Sequence, residues 1–493
     1  MLDIVLTETQ TKEMEAHANS KGIGPRFLIE AAGASVARII QQDYFIRPIL
    51  IMCGPGHNGA DGLIAAYYLK QAGWPVKVAL YGKKQKLKPH TFWAAQIYNG
   101  PLIELSEELC TVCDPSWLVV DALFGIGLNR PIEKSLGQIF EILKEKKCPV
   151  ISIDLPTGLQ TDTGNVMGAT ITATQTIALT CYKPAHCLMP GKMFCGKIKI
   201  VNLGIPTIFY LPFLTLTKIN YAKSWIKYFP LPLPTDHKYN RGHVLIVAGD
   251  TKPGAAVLSS VATRRVGAGL VTVLCRSELK QLFWIQNPGL LVIDKKDQDS
   301  LKELLEKKSL NVCLIGPGAG WSDTTKDQVL YLLQYKKYNI LDADALNVFS
   351  DTPDLLWKNI SSPTVITPHE GEFIRLFPTL QGNKIERAQA AAKISQTIVV
   401  FKGHDTVIAH PEGYVRININ APSWLATAGS GDVLAGLIAG LMAQGMPPFE
   451  SAAAAVWLQG KIAQEQGIGF IAEDVNHILP KILARLISKY SLG

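Results

Sequence analysis

Long apolar runs are missing from this chain. No stretch of about 18 residues is continuously apolar, so nothing in it reads as a membrane-spanning helix. Clustered positive charge is missing too. The net charge of +8 is spread over 493 residues, without a Lys/Arg run or a basic stripe with interleaved aromatics. That argues against nucleic acid as a partner. A second CxxC is absent: Cys110 and Cys113 stand alone among nine scattered cysteines, so the pair reads as structural and not as a zinc site. The opening residues, MLDIVLTETQTKEMEAHA, are acidic and lack an apolar centre, unlike a signal or transit peptide. A cytoplasmic protein with reduced thiols and no membrane partner is expected. No GxxxxGK[ST] and no GxSxG occur, which excludes a Walker-type nucleotide site and a nucleophile elbow.

What is present is a well-packed composition, 47% hydrophobic and 18% charged. The length exceeds one ordinary core and points to two domains. Apolar strands alternate with helices in both halves. In the first, ILIMC (49–53), VKVALY (76–81), WLVVDALFG (117–125), PVISIDLPTG (149–158), TIALT (176–180) and KIKIVNLG (197–204) read as strands, and 61–73 as a helix. Such alternation predicts a doubly wound, Rossmann-like parallel sheet, with ligands outside the carboxyl ends of its strands. Pro-rich sequence between 205 and 240 breaks the pattern, and the boundary is set at 215/216. A second α/β alternation follows, from HVLIVAGD (243–250) to the helix of ATAGSGDVLAG (426–436).

In the first half, GPGHNGADG (54–62) fits GxGxxG after a strand. A dinucleotide-binding oxidoreductase would carry an acid at the end of the next strand, but that strand ends in Tyr81-Gly82-Lys83-Lys84. Hydride transfer therefore loses ground. Asn58, Asp61, Asp121 and Thr157 offer oxygen ligands of low total charge, which suit a monovalent cation. The turn GIGLNRP (125–131) places Arg130 where it can meet phosphate, and Asp154 completes a polar rim. Each also has a plain structural reading, as a strand-ending glycine turn or a helix-capping acid.

In the second half, Gly429-Ser430-Gly431 opens an apolar helix and builds an anion hole. Asp432 inside it competes with an anion unless it takes a proton from an attacking hydroxyl. Lys402 ends a strand before a hairpin-like turn with Gly403 and Thr406, and His369 and Glu372 follow another strand. Asp342 and Asp344, two residues apart, are expected on one strand face. Together these suggest phosphoryl transfer from a nucleotide to a hydroxyl.

The ordered set GPGHNGADG, DALFGIGLNRP, DLPTG, HKYNRGHVLIVAGD, GPGAG, LDADALN, TPHEGEFIRL, KGHDTVI and LATAGSGDVLAG resembles the bifunctional NAD(P)H-hydrate repair enzymes over nearly the whole chain. The resemblance implies an epimerase of R and S hydrates in residues 1–215. It implies a ribokinase-like dehydratase, using ADP or ATP with Mg²⁺, in 216–493. Asn58, Asp121 and Thr157 would hold K⁺. His57, Asn58, Gly59, Ala60 and Asp61, with Gly125, Ile126, Gly127, Leu128, Asn129, Arg130 and Pro131, and Asp154, would contact the hydrate. Asp154 would also handle the proton. In the second domain Ala255, Gly320, His369 and the base Asp432 would contact the hydrate. Lys402, Gly403, His404, Asp405, Thr406 and Gly431 would bind the nucleotide. A homo-oligomer is expected. The family's usual NNGGDG reads HNGADG here, and a methyl at Ala60 is expected to crowd a backbone approach to phosphate. The alternative is a ribokinase-like small-molecule kinase fused to a nucleotide-binding module.

Overall fold

A computed structural model describes residues 3–213, 216–250, 252–296 and 298–490. The chain divides into two units, Met1–Lys218 and Ile219–Gly493, each described by itself.

Unit 1 is built on seven strands: β1 (Ile49–Cys53), β2 (Val76–Leu80), β3 (Leu102–Glu104), β4 (Leu118–Ala122), β5 (Val150–Ile153), β6 (Gln175–Leu179) and β7 (Lys197–Val201). Their spatial order is β3-β2-β1-β4-β5-β6-β7, every pairing parallel. The order reverses between β1 and β4, the point where doubly wound sheets bind ligands. Alternation along β1 serves both faces. Ile49, Ile51 and Cys53 join a core with Val36 and Leu63, while Leu50 and Met52 join Leu136 and Phe140. Cys110 and Cys113 are buried in that second core with Cys148, and their thiols are free. Burial pushes the Cys110 thiol up to about 12 and the Cys113 thiol up to about 11, as for inert core cysteines.

Two features depart from the expected pattern. The helix expected over 61–73 runs His57–Gln71, capped by Gly56, so Asp61 lies in its second turn. The three-residue edge strand β3 is too short to show an alternation.

Unit 2 is built on a ten-stranded sheet whose first strand in chain order straddles the division at 218/219: β8 (Thr217–Ile219), β9 (His243–Val247), β10 (Leu270–Cys275), β11 (Leu291–Asp294), β12 (Val312–Ile315), β13 (Tyr338–Leu341), β14 (Thr364–Ile366), β15 (Ile398–Phe401), β16 (Val407–Ala409) and β17 (Val415–Ile417). The order is β11-β10-β9-β12-β13-β14-β15-β16-β17-β8. Pairings from β11 to β15 are parallel; β15-β16-β17 form an antiparallel meander. The apolar helix Ser430–Ala443 is buried from Val433 to Ala443 and packs on helix Pro253–Arg265. Glycine permits the close approach: a Cβ at Gly436 would lie 2.3 Å from the Ser259 carbonyl oxygen. Thr263 Oγ1 donates to Gly436 O at 2.9 Å across the same seam.

The expectation for Asp342 and Asp344 is corrected. β13 ends at Leu341, Ala343 turns at φ +48°, and Asp344 begins the short helix Asp344–Asn347. The acids therefore lie on different elements with different partners, while both charges still reach Asp432 and raise its pKa. Asp342 Oδ1 accepts from Thr367 Oγ1 at 2.6 Å, and Asp344 Oδ2 accepts from Gly320 N at 2.8 Å.

Candidate active sites

In unit 1 the loops after β1 and β4 touch at the switch point. Gly54 N donates to Ala122 O at 2.9 Å. A Cβ at Gly54 would lie 1.9 Å from Leu123 O, so only glycine fits there. Gly59 is packed as closely on Gly54, 1.8 Å from its carbonyl oxygen by the same measure. Ala60 is wholly buried in the core, and its N–H donates to Gly56 O at 3.2 Å. Its methyl is packed in the core formed with Leu63 and Ile64.

Asp121 is fully buried and saturated with donors: Ser152 Oγ at 2.8 Å, Thr157 N at 2.8 Å, Thr157 Oγ1 at 2.6 Å and Leu123 N at 3.3 Å. Burial nonetheless raises its pKa. Thr157 Oγ1 also accepts from Phe124 N at 3.0 Å, which locks the two loops together. Asn58 is 7% exposed, and neither Oδ1 nor Nδ2 has a hydrogen-bond partner. A Cβ at Gly125 would lie 3.6 Å from its Oδ1. Of the Gly125–Pro131 turn, Leu128 is turned inward while Gly127, Asn129, Arg130 and Pro131 are exposed; Thr161 Oγ1 pins the turn by donating to Ile126 O at 2.8 Å.

Asp154 sits just beyond β5 at φ +65°, a left-handed conformation uncommon outside glycine and typical of functional sites. Its carboxylate accepts from Lys183 Nζ and, at 3.2 Å, from Leu179 N. Lys183 is 1% exposed. Burial opposes its charge most strongly, but the Asp154 carboxylate together with Cys181 and Glu15 raises its pKa overall. His186 Nδ1 accepts from Lys183 N at 2.9 Å, so the proton lies on Nε2, which donates to Asp154 O at 2.7 Å. Burial brings His186 down to about 4, keeping it neutral. A cavity of about 260 Å³ opens beside this pair, lined by Glu15, His57, Asp61 and Leu179 among others. Burial, then the charges of Asp154 and Glu15, raise Asp61 well above the carboxylate range. Burial and His90 lower the His57 pKa.

Lys183, His186 and Glu15 were missed in the sequence. CYKPAHC at the end of β6 has the same form as the Lys402 turn and carried a usable signal. Glu15 lies in helix Glu8–Ser20, outside every motif.

In unit 2 the site lies at the carboxyl ends of β12 to β15. Gly429, at φ +83°, caps the helix that carries Asp432. No hydrogen bond reaches the Asp432 carboxylate among the described residues. Burial, then the nearby Asp342, raise its pKa to about 6, while Lys402 pulls the other way. Lys402 Nζ donates to Asp342 Oδ1 at 2.8 Å and lies 4.0 Å from Glu372 Oε2. A Cβ at Gly431 would lie 3.5 Å from that Nζ, so the lysine lies against the glycine turn.

A cavity of about 200 Å³ joins Lys402, Gly403, His404, Thr406 and Gly431, with Leu425, Leu434 and Val456 as apolar walls. Asp405 is not part of its lining. It is 6% exposed and holds Lys384 Nζ at 2.5 Å, bracing the turn. Thr406 Oγ1 donates to Gly403 O at 2.8 Å and fixes the hairpin. Ala255 lies in the first turn of helix Pro253–Arg265 and Gly320 in the loop after β12, and the segments leading to them touch: a Cβ at Gly318 would lie 2.3 Å from Lys252 O. His369 caps helix Glu370–Leu376, its Nδ1 accepting from Gly371 N at 3.0 Å, and leaves Nε2 3.3 Å from Glu372 Oε1.

The two folds define the class: a doubly wound Rossmann-like unit and a ribokinase-like unit in one chain. A ribokinase-like superfamily protein of Enterococcus faecalis V583 matches with TM-score 0.50 and 27% identity, covering 55% of this chain and 96% of that one. Family models match in tandem, YjeF-related protein N-terminus over residues 25–185 and NAD(P)H-hydrate dehydratase over 244–481. The bifunctional NAD(P)H-hydrate repair enzyme Nnr of Synechocystis sp. is 33% identical, over 96% of this chain and 93% of its own. That of Moorella thermoacetica is 31% identical, over 98% and 97%. The chain belongs to the family of bifunctional NAD(P)H-hydrate repair enzymes.

Proposed function

We propose that the chain returns hydrated NADH and NADPH to use in two steps. Residues 1–215 interconvert the R and S hydrates, and residues 216–493 dehydrate the S form with ADP or ATP. The observation that carries the second step is the unpaired Asp432 carboxylate at a helix N-terminus beside Lys402. Asp432 takes the proton of the ring hydroxyl, whose oxygen attacks the terminal phosphoryl group of the nucleotide. AMP or ADP leaves, and Lys402 with the Gly429–Gly431 turn holds the phosphoryl charge. Hydroxide is a poor leaving group and phosphate a good one. The ring nitrogen lone pair then expels phosphate, and loss of a proton from the adjacent ring carbon restores the double bond. Gly403, His404, Thr406 and the apolar wall would seat the nucleotide, whose Mg²⁺ arrives with it. Ala255, Gly320 and His369 would meet the hydrate.

In unit 1, Asp154 would handle the proton, with Lys183 holding its charge. His57 to Asp61 and the Gly125–Pro131 turn would position the hydrate. Of the residues expected to hold K⁺, Asn58 has an orphaned Oδ1 open to a cation, while Asp121 and Thr157 spend their oxygens on the loop-locking hydrogen bonds and would supply the single negative charge beside it. A bound cation there would tie the β1 and β4 loops together and offset the carboxylate.

The test mixes purified protein with each hydrate epimer and ADP or ATP, following reduced-cofactor absorbance and inorganic phosphate. Recovery of cofactor with phosphate release from both epimers is expected. A phosphorylated product without phosphate release would instead mark a small-molecule kinase.

A further inference from the structure

A cavity of about 690 Å³ lies in unit 2 at the opposite end of the sheet from Asp432. Its lining comes from the segments entering β9, β10 and β11, at the strands' amino ends, with Asn476 and His477 added by helix Val475–Tyr490. The five residues of β9 put roughly 16 Å between the two ends. The volume falls within the roughly 300–1,000 Å³ of small-molecule sites.

Four cations line it, Lys238, Arg241, Arg264 and Arg265, and none makes an ion pair among the described residues. The one carboxylate in the lining, Asp236, is turned into its own loop, accepting from Leu233 N at 2.7 Å. Arg264 and Arg265 end helix Pro253–Arg265, where the helix dipole favours cations. That accounts for neither Lys238 nor Arg241, which come from the segment before β9. The Arg241 Nε is buried without a hydrogen-bond partner, and such groups are normally satisfied. Asn287 already orients one guanidinium, its Oδ1 accepting from Arg264 Nη1.

We infer that this cavity is a second anion site, for the polyphosphate chain of a small molecule, either inorganic or as part of a nucleotide. Guanidinium forks bind phosphate oxygens in pairs, and a concave pocket with several unpaired cations on separate segments suits an extended chain of charges. The inference uses no part of the proposed reaction.

Hydrogen exchange of the full chain, read by mass spectrometry with sodium tripolyphosphate or ADP as probe, tests it. Tripolyphosphate is expected to protect 236–241 and 264–269, and Arg241→Gln with Arg264→Gln to weaken that binding roughly tenfold or more. Lys238→Gln, at an exposed position, is the second variant if the double one fails to fold. Protection by both probes assigns the phosphate chain itself as the ligand; protection by ADP alone assigns a nucleotide. Absence of protection with either probe, or protection unchanged in the folded variants, overturns the inference. Changes at 402–406 and 429–432 report the catalytic cleft separately.

Discussion

Lys183 places its ammonium on the carboxylate of Asp154, a residue held at φ +65°. Asn tolerates that backbone region nearly as well as Asp, so Asp154→Asn probes chemistry and not strain. Epimerisation is expected to fall about 10²- to 10⁴-fold, measured as R-to-S conversion, with nucleotide-dependent dehydration of the S hydrate retained. Equal loss of both activities would mean that the variant had unfolded.

Breaking the same pair from the other side costs stability. Lys183→Met leaves a carboxylate buried and unpaired, an expected loss of about 3–5 kcal/mol. Urea unfolding measures it, and the double variant Lys183→Met with Asp154→Asn is expected to recover part of the loss. Strictly additive losses would show that the two residues are not coupled.

Asp432 links activity and stability with opposite signs. Its raised pKa of about 6 means that the folded state holds the proton more tightly than the unfolded one. Ionisation therefore removes stability as pH rises from about 4 through 6, on the order of 2–3 kcal/mol in all. Asp432→Asn is expected to melt above the wild type at pH 7.5 and near it at pH 5. The same variant should lose dehydration about 10²- to 10⁴-fold, and wild-type turnover should decline as pH drops below about 6. A variant within threefold of wild-type rate would remove Asp432 as the base.

Lys402→Ala removes the proposed phosphate contact and a charge that lowers the Asp432 pKa. The apparent nucleotide constant is expected to rise about 10- to 150-fold, the equivalent of 1.5–3 kcal/mol, with little change for the hydrate. The acid limb of the pH–rate profile should also move to higher pH. An unmoved limb would separate Lys402 from Asp432.

Asn58→Leu abolishes the orphaned amide. The wild-type melting temperature is expected to be higher in potassium chloride than in tetramethylammonium chloride, and the variant's to be the same in both. A wild type indifferent to the cation would leave Asn58, Asp121 and Thr157 as a purely internal network.

Strand identity and the loops at strand ends were legible in the sequence because both are local. An apolar run of four to six residues bounded by glycine or proline has few other solutions. ILIMC, VCLIG and the Gly429–Asp432 helix start therefore stand where their own residues put them. Sheet order was not legible, since nothing local tells β1 to take β4 as its neighbour; the contact depends on glycine-backbone approaches between segments about 70 residues apart. Neither could a pattern show that Asp405 faces Lys384, that Ala60 faces the core, or that Asp342 and Asp344 part company at Ala343. Periodicity assigns a face only while an element lasts, and each of these residues lies at a turn or meets a partner far along the chain. The pairing of Asp154 with Lys183, and the distinct environments of Asp61, Asp121 and Asp432, belong to the tertiary structure alone. Burial and neighbouring charge set a carboxylate's chemistry, and both come from segments that meet only when the chain is folded.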